Sequence, residues 1–114
     1  MQKKLNVLMC ASECRGVAKA GGLGDVVFDL SNGLKKAGVD TKIIIPYYEV
    51  INLQADFIEE FKVEFGNLNY KFGLYKTKIN NIEIYLIKNR VFFAGETGGI
   101  YIDSDRYKRG PFED

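Results

Sequence analysis

The sequence is poor in several residue types, and each scarcity excludes a class of chemistry. It contains no histidine, no tryptophan and only two cysteines. Without histidine the chain cannot supply the imidazole of a Ser-His triad or a Cys-His dyad, nor the usual ligands of a zinc site. Cys10 and Cys14 lack the C-x-x-C spacing of redox enzymes, so we expect two reduced thiols. Any chemistry in which this chain takes part therefore uses other groups.

Net charge and hydropathy exclude two kinds of partner. Lys and Arg number 16 and Asp and Glu 15, which leaves a net charge of +1. Binding to nucleic acid or to an anionic membrane surface requires a basic excess on one face. No apolar run approaches the ~18 residues of a membrane span, and no signal-peptide core follows the first four residues. We therefore expect no nucleic-acid partner, no membrane and a cytoplasmic location, where thiols stay reduced.

The first half of the chain has the pattern of a βαβ unit. Residues 5–11 form a nearly continuous apolar run, which predicts a strand buried on both faces. A helix is predicted next, with one inward face made of apolar residues at helical spacing: Leu23, Val26, Val27, Leu30, Leu34 and Ala37. Gly38 ends that helix, and residues 39–45 predict a second strand, closed by Pro46. A strand, a helix and a second strand in this order build a parallel sheet.

The second half predicts antiparallel pairing. Apolar and polar residues alternate over 61–65 and again over 70–74, and each stretch predicts a half-buried strand. Asn80 and Asn81 predict a hairpin turn, because asparagine tolerates the positive φ that tight hairpins need. Residues 83–87 then predict a strand apolar enough to return to the main sheet.

Together these patterns predict an α/β fold: a Rossmann-like parallel sheet with an appended β-hairpin. The 114 residues fit a single domain over residues 1–114, since one core typically serves about 100–200 residues. Residues 89–114 are expected to form a long ordered loop or an unfinished element.

The segment between the first strand and the helix carries the residues most suited to chemistry. This segment, the glycine loop below, reads V-A-K-A-G-G-L-G-D-V over residues 17–26. Gly21 and Gly22 allow a ligand to approach the backbone, and the N-terminus of a helix attracts anions. Lys19 adds a full positive charge just before the glycines. We interpret the loop as a candidate phosphate site.

Three other interpretations of the glycine loop differ in strength. A Walker P-loop is excluded, because its lysine follows the glycines and directly precedes Ser or Thr. A dinucleotide fingerprint would begin at Gly22 and Gly24, but about ten residues separate them from the strand, and residues 43–48 offer no acidic group for a ribose. A purely structural glycine turn stays open.

Longer motifs around this loop resemble a known family. A-S-E over residues 11–13 is followed by A-K-A-G-G-L-G-D-V over 18–26 and by I-P-Y-Y over 45–48. This order and spacing resembles the start of the bacterial, archaeal and plant glycogen and starch synthases, whose pattern is A-S-E, A-K-T-G-G-L-G-D-V and a strand ending in L-P-x-Y. Residues 92–112 loosely resemble a later family segment with an aromatic pair, I-Y-G and D-N-x-x-R-F.

The resemblance implies the N-terminal part of a retaining glucosyltransferase of the two-domain GT-B type. Such an enzyme moves glucose from ADP-glucose or UDP-glucose to an α-1,4-glucan acceptor, without a metal or other cofactor. By the same resemblance, Lys19 would reach the pyrophosphate of the donor, and Gly21 and Gly22 would let backbone N–H groups and glucose approach. Glu13 would contact sugar hydroxyls or, as the alternative, brace the loop. A missing C-terminal GT-B domain would hold most of the donor.

Departures from the family pattern fall in and just before the glycine loop. Ala20 replaces the usual threonine, and residues 14–17 replace a stretch that contains proline and phenylalanine. We therefore expect a more flexible loop. Arg15 is expected to be a solvated surface residue, with added positive charge near the phosphates as the alternative. Asp25 is expected to cap the helix.

The length of the chain limits the expected activity. Enzymes of the resembled family are several hundred residues long, so we expect an incomplete N-terminal catalytic domain that is inactive alone, located in the cytoplasm, or in a plastid if the source is a plant. The alternative from another functional class is a non-catalytic Rossmann-like module that binds a nucleotide or a glycan.

Overall fold

The computed structural model describes residues 5–49 and 51–89. In chain order their elements are β1 (Asn6–Cys10), α1 (Gly22–Lys36), β2 (Asp40–Pro46), β3 (Asp56–Phe65), β4 (Leu68–Ile79) and β5 (Ile82–Lys88). The loop or unfinished element predicted for 89–114 lies outside the described residues apart from Asn89, and so does the loosely matching stretch at 92–112. Within the described ranges, no helix is long and apolar enough to cross a membrane.

The strands form one mixed sheet in the order β1-β2-β5-β4-β3. β1, β2 and β5 are parallel, so that Ile43 on β2 lies between Met9 on β1 and Ile84 on β5. β4 runs antiparallel to β5, and β3 runs antiparallel to β4. The predicted α/β class is confirmed: a parallel core, with α1 in the crossover from β1 to β2, carries an antiparallel hairpin made of β3 and β4.

The core lies between α1 and one face of the parallel strands. β2 and β5 each bury alternate residues, as a strand covered on one face should. The fully buried hydrophobic residues on these strands are Ile43, Ile45, Ile82, Ile84 and Leu86. Val27 and Phe28 belong to the same cluster and come from α1. This packing fixes where α1 begins, and therefore where the glycine loop lies.

α1 ends where the sequence predicts. Gly38 has a φ of +92°, which favours glycine, and its N–H donates to the Lys35 carbonyl at 3.0 Å. The Val39 N–H donates to the Leu34 carbonyl at 3.0 Å. These two bonds form a Schellman motif, which satisfies carbonyls at the end of the helix and turns the chain into β2.

The buried face of α1 overlaps the predicted one at Val27 but is otherwise different. The buried positions follow helical spacing and include two small residues: Gly24, Val27, Phe28 and Ser31. Leu23, Val26 and Leu30 were expected to point inward but are about half exposed. α1 therefore has two adjacent apolar stripes, and the stripe with small side chains is the one that packs on β2 and β5. Hydropathy alone gives glycine and serine too little weight to show this.

The predicted double burial of β1 is also wrong. Leu8 at its centre is 53% exposed, and Asn6 and Cys10 are exposed as well. In the part of the chain that the structure describes, β1 pairs with β2 alone and α1 covers only one face of the sheet. An apolar run indicates a strand suited to burial, but the elements beside it decide whether burial occurs.

The two hairpin strands form as predicted. On β3, the predicted half-burial of the apolar residues is observed only at Phe61. Asn80 and Asn81 have φ values of 50° and 66°, which confirms the predicted turn between β4 and β5. Phe61 on β3 stacks on Phe72 of β4, with ring centroids 5.5 Å apart. Phe65, near the tip, is 66% exposed. The alternation therefore marks one face of β3, but no described element covers that face.

Candidate functional site

The chain leaves β1 and makes a tight turn before the glycine loop. The Cys14 N–H donates to the Ala18 carbonyl at 2.8 Å, and the Ala18 N–H donates to the Cys14 carbonyl at 3.0 Å. The Arg15 N–H donates to the Gly24 carbonyl at 3.0 Å and so ties this turn to the first turn of α1. Backbone hydrogen bonds therefore define the path of this turn although the proline of the family pattern is absent. The greater flexibility expected from the loss of proline stays a prediction.

Glu13 holds the glycine loop from inside. Its side chain is buried, at 1% exposure, and Oε1 accepts hydrogen bonds from the N–H of Gly21 at 3.0 Å and of Gly24 at 2.7 Å. Gly21 is the N-cap residue of α1, and as a glycine it has no side-chain oxygen to accept a hydrogen bond from the first turn. The Glu13 carboxylate, earlier in the chain, provides that acceptor. The carboxylate also lies at the positive end of the helix dipole. This geometry favours the bracing alternative for Glu13 over contact with sugar hydroxyls.

The three glycines of the loop differ in what surrounds them. A Cβ added at Gly24 would lie 3.0 Å from Lys19 Cγ and 3.2 Å from Glu13 Oε1, closer than ordinary packing allows, so a side chain there would force these neighbours to move. A Cβ at Gly21 would meet only Glu13 Oε1, at an ordinary 3.9 Å, and one at Gly22 would meet nothing within 4 Å. Packing within the described residues therefore does not require glycine at 21 or 22. The loop presents open backbone at those two positions.

Lys19, on the same loop, forms an ion pair with Asp25 in the first turn of α1. Its Nζ is 3.2 Å from Oδ2 of Asp25, and both side chains are about 40% exposed. The Lys19 ammonium, followed by the Arg15 guanidinium, lowers the pKa of Asp25 below its usual range. Asp25 is in the first turn of α1, as predicted, but its carboxylate binds these side chains, and the capping bonds come from Glu13.

Arg15 is exposed, as expected, but its guanidinium is ion-paired on the surface of α1. Its Nη1 lies 3.2 Å from Oδ1 of Asp25, and its two terminal nitrogens bind the two carboxylate oxygens of Asp29. The guanidinium carbon lies 5.0 Å from the ring centroid of Phe28, a cation–π distance. The hydrogen bond to Asp29 raises the pKa of Arg15 above its usual value. Sequence spacing contained the signal, since Asp25 and Asp29 are four residues apart on one helix face.

Tyr48 joins two of the motifs that carry the family resemblance. Its hydroxyl donates to the Ser12 carbonyl at 2.7 Å, and its side chain is buried. The A-S-E motif after β1 therefore contacts the I-P-Y-Y motif at the end of β2. Both lie at the carboxyl ends of parallel strands, where ligands bind in open α/β sheets.

Two further features contribute nothing to this site. Burial raises the pKa of the Cys14 thiol to about 11, so the thiol is neutral and unreactive at neutral pH. A groove whose lining includes Leu8, Lys42 and Tyr85 lies on the sheet face opposite α1, away from Lys19. Among residues 5–49 and 51–89, no acidic and cysteine side chains gather in a group of three or more that would hold a metal ion.

The sequence motifs and the fold agree with one family. The sequence model of the starch synthase catalytic domain matches residues 6–114. The chain belongs to the starch synthase catalytic domain family. It is 36% identical over 111 residues to a glycogen synthase of Hydrogenobaculum and 37% identical over 108 residues to a glycogen synthase of Clostridium kluyveri. These alignments cover 96% and 90% of this chain.

A solved structure extends the similarity to the fold. The catalytic domain of starch synthase IV from Arabidopsis thaliana, bound to ADP and acarbose, matches with a TM-score of 0.72 and 26% identity over 94% of this chain. The chain spans less than a quarter of its relatives: 22% and 23% of the two glycogen synthases and 23% of the Arabidopsis chain. It therefore corresponds to an N-terminal part of the starch synthase catalytic domain.

Proposed function

We propose that this chain is the acceptor-facing part of a glycogen or starch synthase, a retaining glucosyltransferase. The enzyme would move glucose from ADP-glucose or UDP-glucose to the non-reducing end of an α-1,4-glucan. The observation that carries this proposal is the glycine loop, where the Lys19 ammonium pairs with Asp25 in the first turn of α1 and the backbone at Gly21 and Gly22, where that helix begins, is open. The Arabidopsis relative, which binds ADP and acarbose, supports a nucleotide and a glucan-like ligand as partners.

Lys19 would act on the leaving group of this transfer. As the bond between glucose and the diphosphate breaks, negative charge grows on the phosphate oxygens. A fixed ammonium stabilises that charge more than the charge of the ground state, which lowers the barrier. The 3.2 Å pair with Asp25 holds the ammonium at the loop until a diphosphate replaces the carboxylate.

Glu13 and the two open glycines would prepare the loop for this role. Glu13 fixes the backbone of Gly21 and Gly24 through its buried carboxylate, so the loop needs no rearrangement to receive a ligand. The absence of side chains at Gly21 and Gly22 leaves room for glucose and phosphate oxygens. By the family resemblance the transfer would use no metal or other cofactor, and Lys19 would supply a positive charge. The C-terminal GT-B domain would supply the remaining contacts to the donor, so this chain alone should transfer no glucose.

A chimera tests the proposal directly. Residues 6–114 replace the matching segment of the Hydrogenobaculum glycogen synthase, and transfer of radiolabelled glucose from ADP-glucose to glycogen is measured. We expect the chimera to be active and Lys19→Ala to lower kcat/KM by about 100-fold or more, as loss of a transition-state cation usually does. Lys62→Ala is the control, because Lys62 is an exposed cation on β3, at the opposite end of the sheet order from β1.

Two outcomes would contradict the proposal in different ways. If Lys19→Ala stays within about threefold of the unmutated chimera, Lys19 does not stabilise the leaving diphosphate. If the chimera melts cooperatively like the parent enzyme but transfers no glucose, the segment does not function as part of a synthase. Titration of the isolated chain with maltooligosaccharide and with ADP would then test the binding-module alternative.

A further inference from the structure

Four charged side chains form one network around the first turn of α1. Asp25 is its shared member, because Oδ1 lies 3.2 Å from Arg15 Nη1 and Oδ2 lies 3.2 Å from Lys19 Nζ. Arg15 also binds both carboxylate oxygens of Asp29, one turn further along α1. The network holds two cations and two anions, so its formal charge is zero.

We infer that Arg15 is a positioning residue for Lys19, which keeps the Lys19 ammonium available to a diphosphate by sharing Asp25. The inference rests on the proposed function, in which a diphosphate is the partner of Lys19.

The physical reason is competition for the Lys19 ammonium. A carboxylate paired with Lys19 alone would compete strongly with an incoming diphosphate. Because Arg15 occupies one oxygen of Asp25, part of the negative charge of Asp25 is already neutralised. Without Arg15 the remaining Lys19, Asp25 and Asp29 would carry a formal charge of −1, which repels an anion. The stack of Arg15 on Phe28 fixes its guanidinium in this position.

Two single substitutions separate charge balance from mere bracing. Arg15→Met and Asp29→Asn both break the same bidentate ion pair. If the pair only braced the loop, both changes would weaken the site. Charge balance predicts opposite directions, because Arg15→Met makes the network more negative and Asp29→Asn makes it more positive.

The measurement is the dissociation constant of inorganic pyrophosphate for this chain, from the amide shifts of Gly21 and Gly22 in two-dimensional NMR at about 20 mM ionic strength. We expect Arg15→Met to raise Kd by about threefold to tenfold and Asp29→Asn to lower it by about twofold to fivefold. The double variant, with Arg15→Met and Asp29→Asn together, should have a Kd within about twofold of the native value. Arg15→Lys keeps the positive charge and should have a Kd within about threefold of the native value. Salt at about 0.3 M should shrink all these differences.

Matched controls remove one charge of each sign from the hairpin. Lys62→Met and Glu64→Gln lie on exposed positions of β3 and are expected to leave Kd within about twofold of the native value. Lys19→Ala is measured alongside them and is expected to raise Kd by about tenfold or more. It reports on the proposed function, whereas the Arg15 and Asp29 variants report on the inference.

The outcomes are distinguishable. Weaker binding in both Arg15→Met and Asp29→Asn, or no change in either while Lys19→Ala weakens binding, overturns the inference and leaves the role of Lys19 intact. If Lys19→Ala leaves Kd unchanged, the diphosphate role of Lys19 is wrong and the inference fails with it. If the native chain shows no binding up to about 1 mM pyrophosphate, a concentration compatible with the low ionic strength, the inference is also overturned. Glucose transfer by the chimera then tests the proposed function independently.

Discussion

The two ends of the sheet are built from similar strands but differ in how they are held. At the parallel end, Ile43, Ile45, Ile84 and Leu86 are fully buried beneath α1. On the β3–β4 hairpin the apolar residues Phe57, Phe65 and Leu68 are more than half exposed. The hairpin therefore depends on its backbone ladder and on stacked rings, whereas the parallel end has a core. The candidate site lies at the end that has the core, where a rigid base can hold Lys19 in place.

A pair of truncations should show this difference most strongly. Ile84→Ala removes a fully buried side chain from β5 and is expected to lower the free energy of unfolding by about 2–5 kcal/mol. Val63→Ala, at a position 40% exposed on β3, should cost less than about 1 kcal/mol. Urea unfolding of both variants gives the comparison.

Ile84→Val is a milder substitution that can still be measured if Ile84→Ala does not fold. It should cost about 0.5–1.5 kcal/mol and keep the protein within measurable range. If Val63→Ala proved as costly as Ile84→Ala, the exposed face of the hairpin would have to be covered in solution, and the contrast between the two ends of the sheet would be wrong.

A second comparison concerns two glycines of the same helix. Gly24→Ala would push a Cβ against Glu13 Oε1 and the backbone N of Arg15, and is expected to destabilise the chain by about 1–3 kcal/mol. Gly33→Ala, with open space around its Cβ, should stabilise it by about 0.5–1 kcal/mol, the ordinary gain in helix propensity.

Thermal melts of both glycine variants measure the difference. A stabilising Gly24→Ala would mean that the Glu13 and Arg15 contacts give way easily, and that the glycine loop is softer than its hydrogen bonds indicate. Gly22→Ala in the chimera extends the test to function: it should leave the melting temperature nearly unchanged and lower glucose transfer, because only a ligand needs that space.

Local patterns predicted the elements well and their surroundings poorly. The helix, its stop at Gly38 and the turn at Asn80 and Asn81 depend on residues within a few positions, and the structure confirms them. Burial depends on which other elements lie beside a strand or helix, and periodicity does not contain that information. This is why β1 was expected to be buried on both faces and α1 to turn its leucines inward.

The site shows the same division. Lys19 and the glycines stand out in the sequence because their residue types are unusual in that order. The roles of three other residues depend on partners that lie far away in the sequence. Glu13 binds backbone amides of the glycine loop, Arg15 binds a carboxylate on α1, and Tyr48 binds the Ser12 carbonyl. Asp29 four residues after Asp25 was the one available signal for the Arg15 pairing, since that spacing places two carboxylates on one helix face.

The smallest expected effect compares the pH dependence of an ion pair at each end of the sheet. Pairing with Lys19 and then Arg15 lowers the pKa of folded Asp25 below 3.8, its value when unperturbed. A lowered pKa in the folded state adds stability that is complete above the unfolded value and is lost as pH falls through the folded value. Asp25→Asn should therefore reduce the free energy of unfolding more at about pH 7 than at about pH 3.

Glu60→Gln is the matched control on the hairpin, because Glu60 pairs with Lys71 at a longer 3.8 Å and both side chains are more exposed than those of Asp25 and Lys19. An exposed ion pair with a long N···O distance contributes little to the free energy of unfolding, because solvent screens its charges. Glu60→Gln should therefore change stability about equally at both pH values. Urea unfolding at the two pH values, repeated in about 0.5 M salt, measures both variants. An Asp25→Asn effect of the same size at both pH values would show that its pairs contribute no net stability. Lys19 would then be held at the glycine loop by its place in the chain rather than by Asp25.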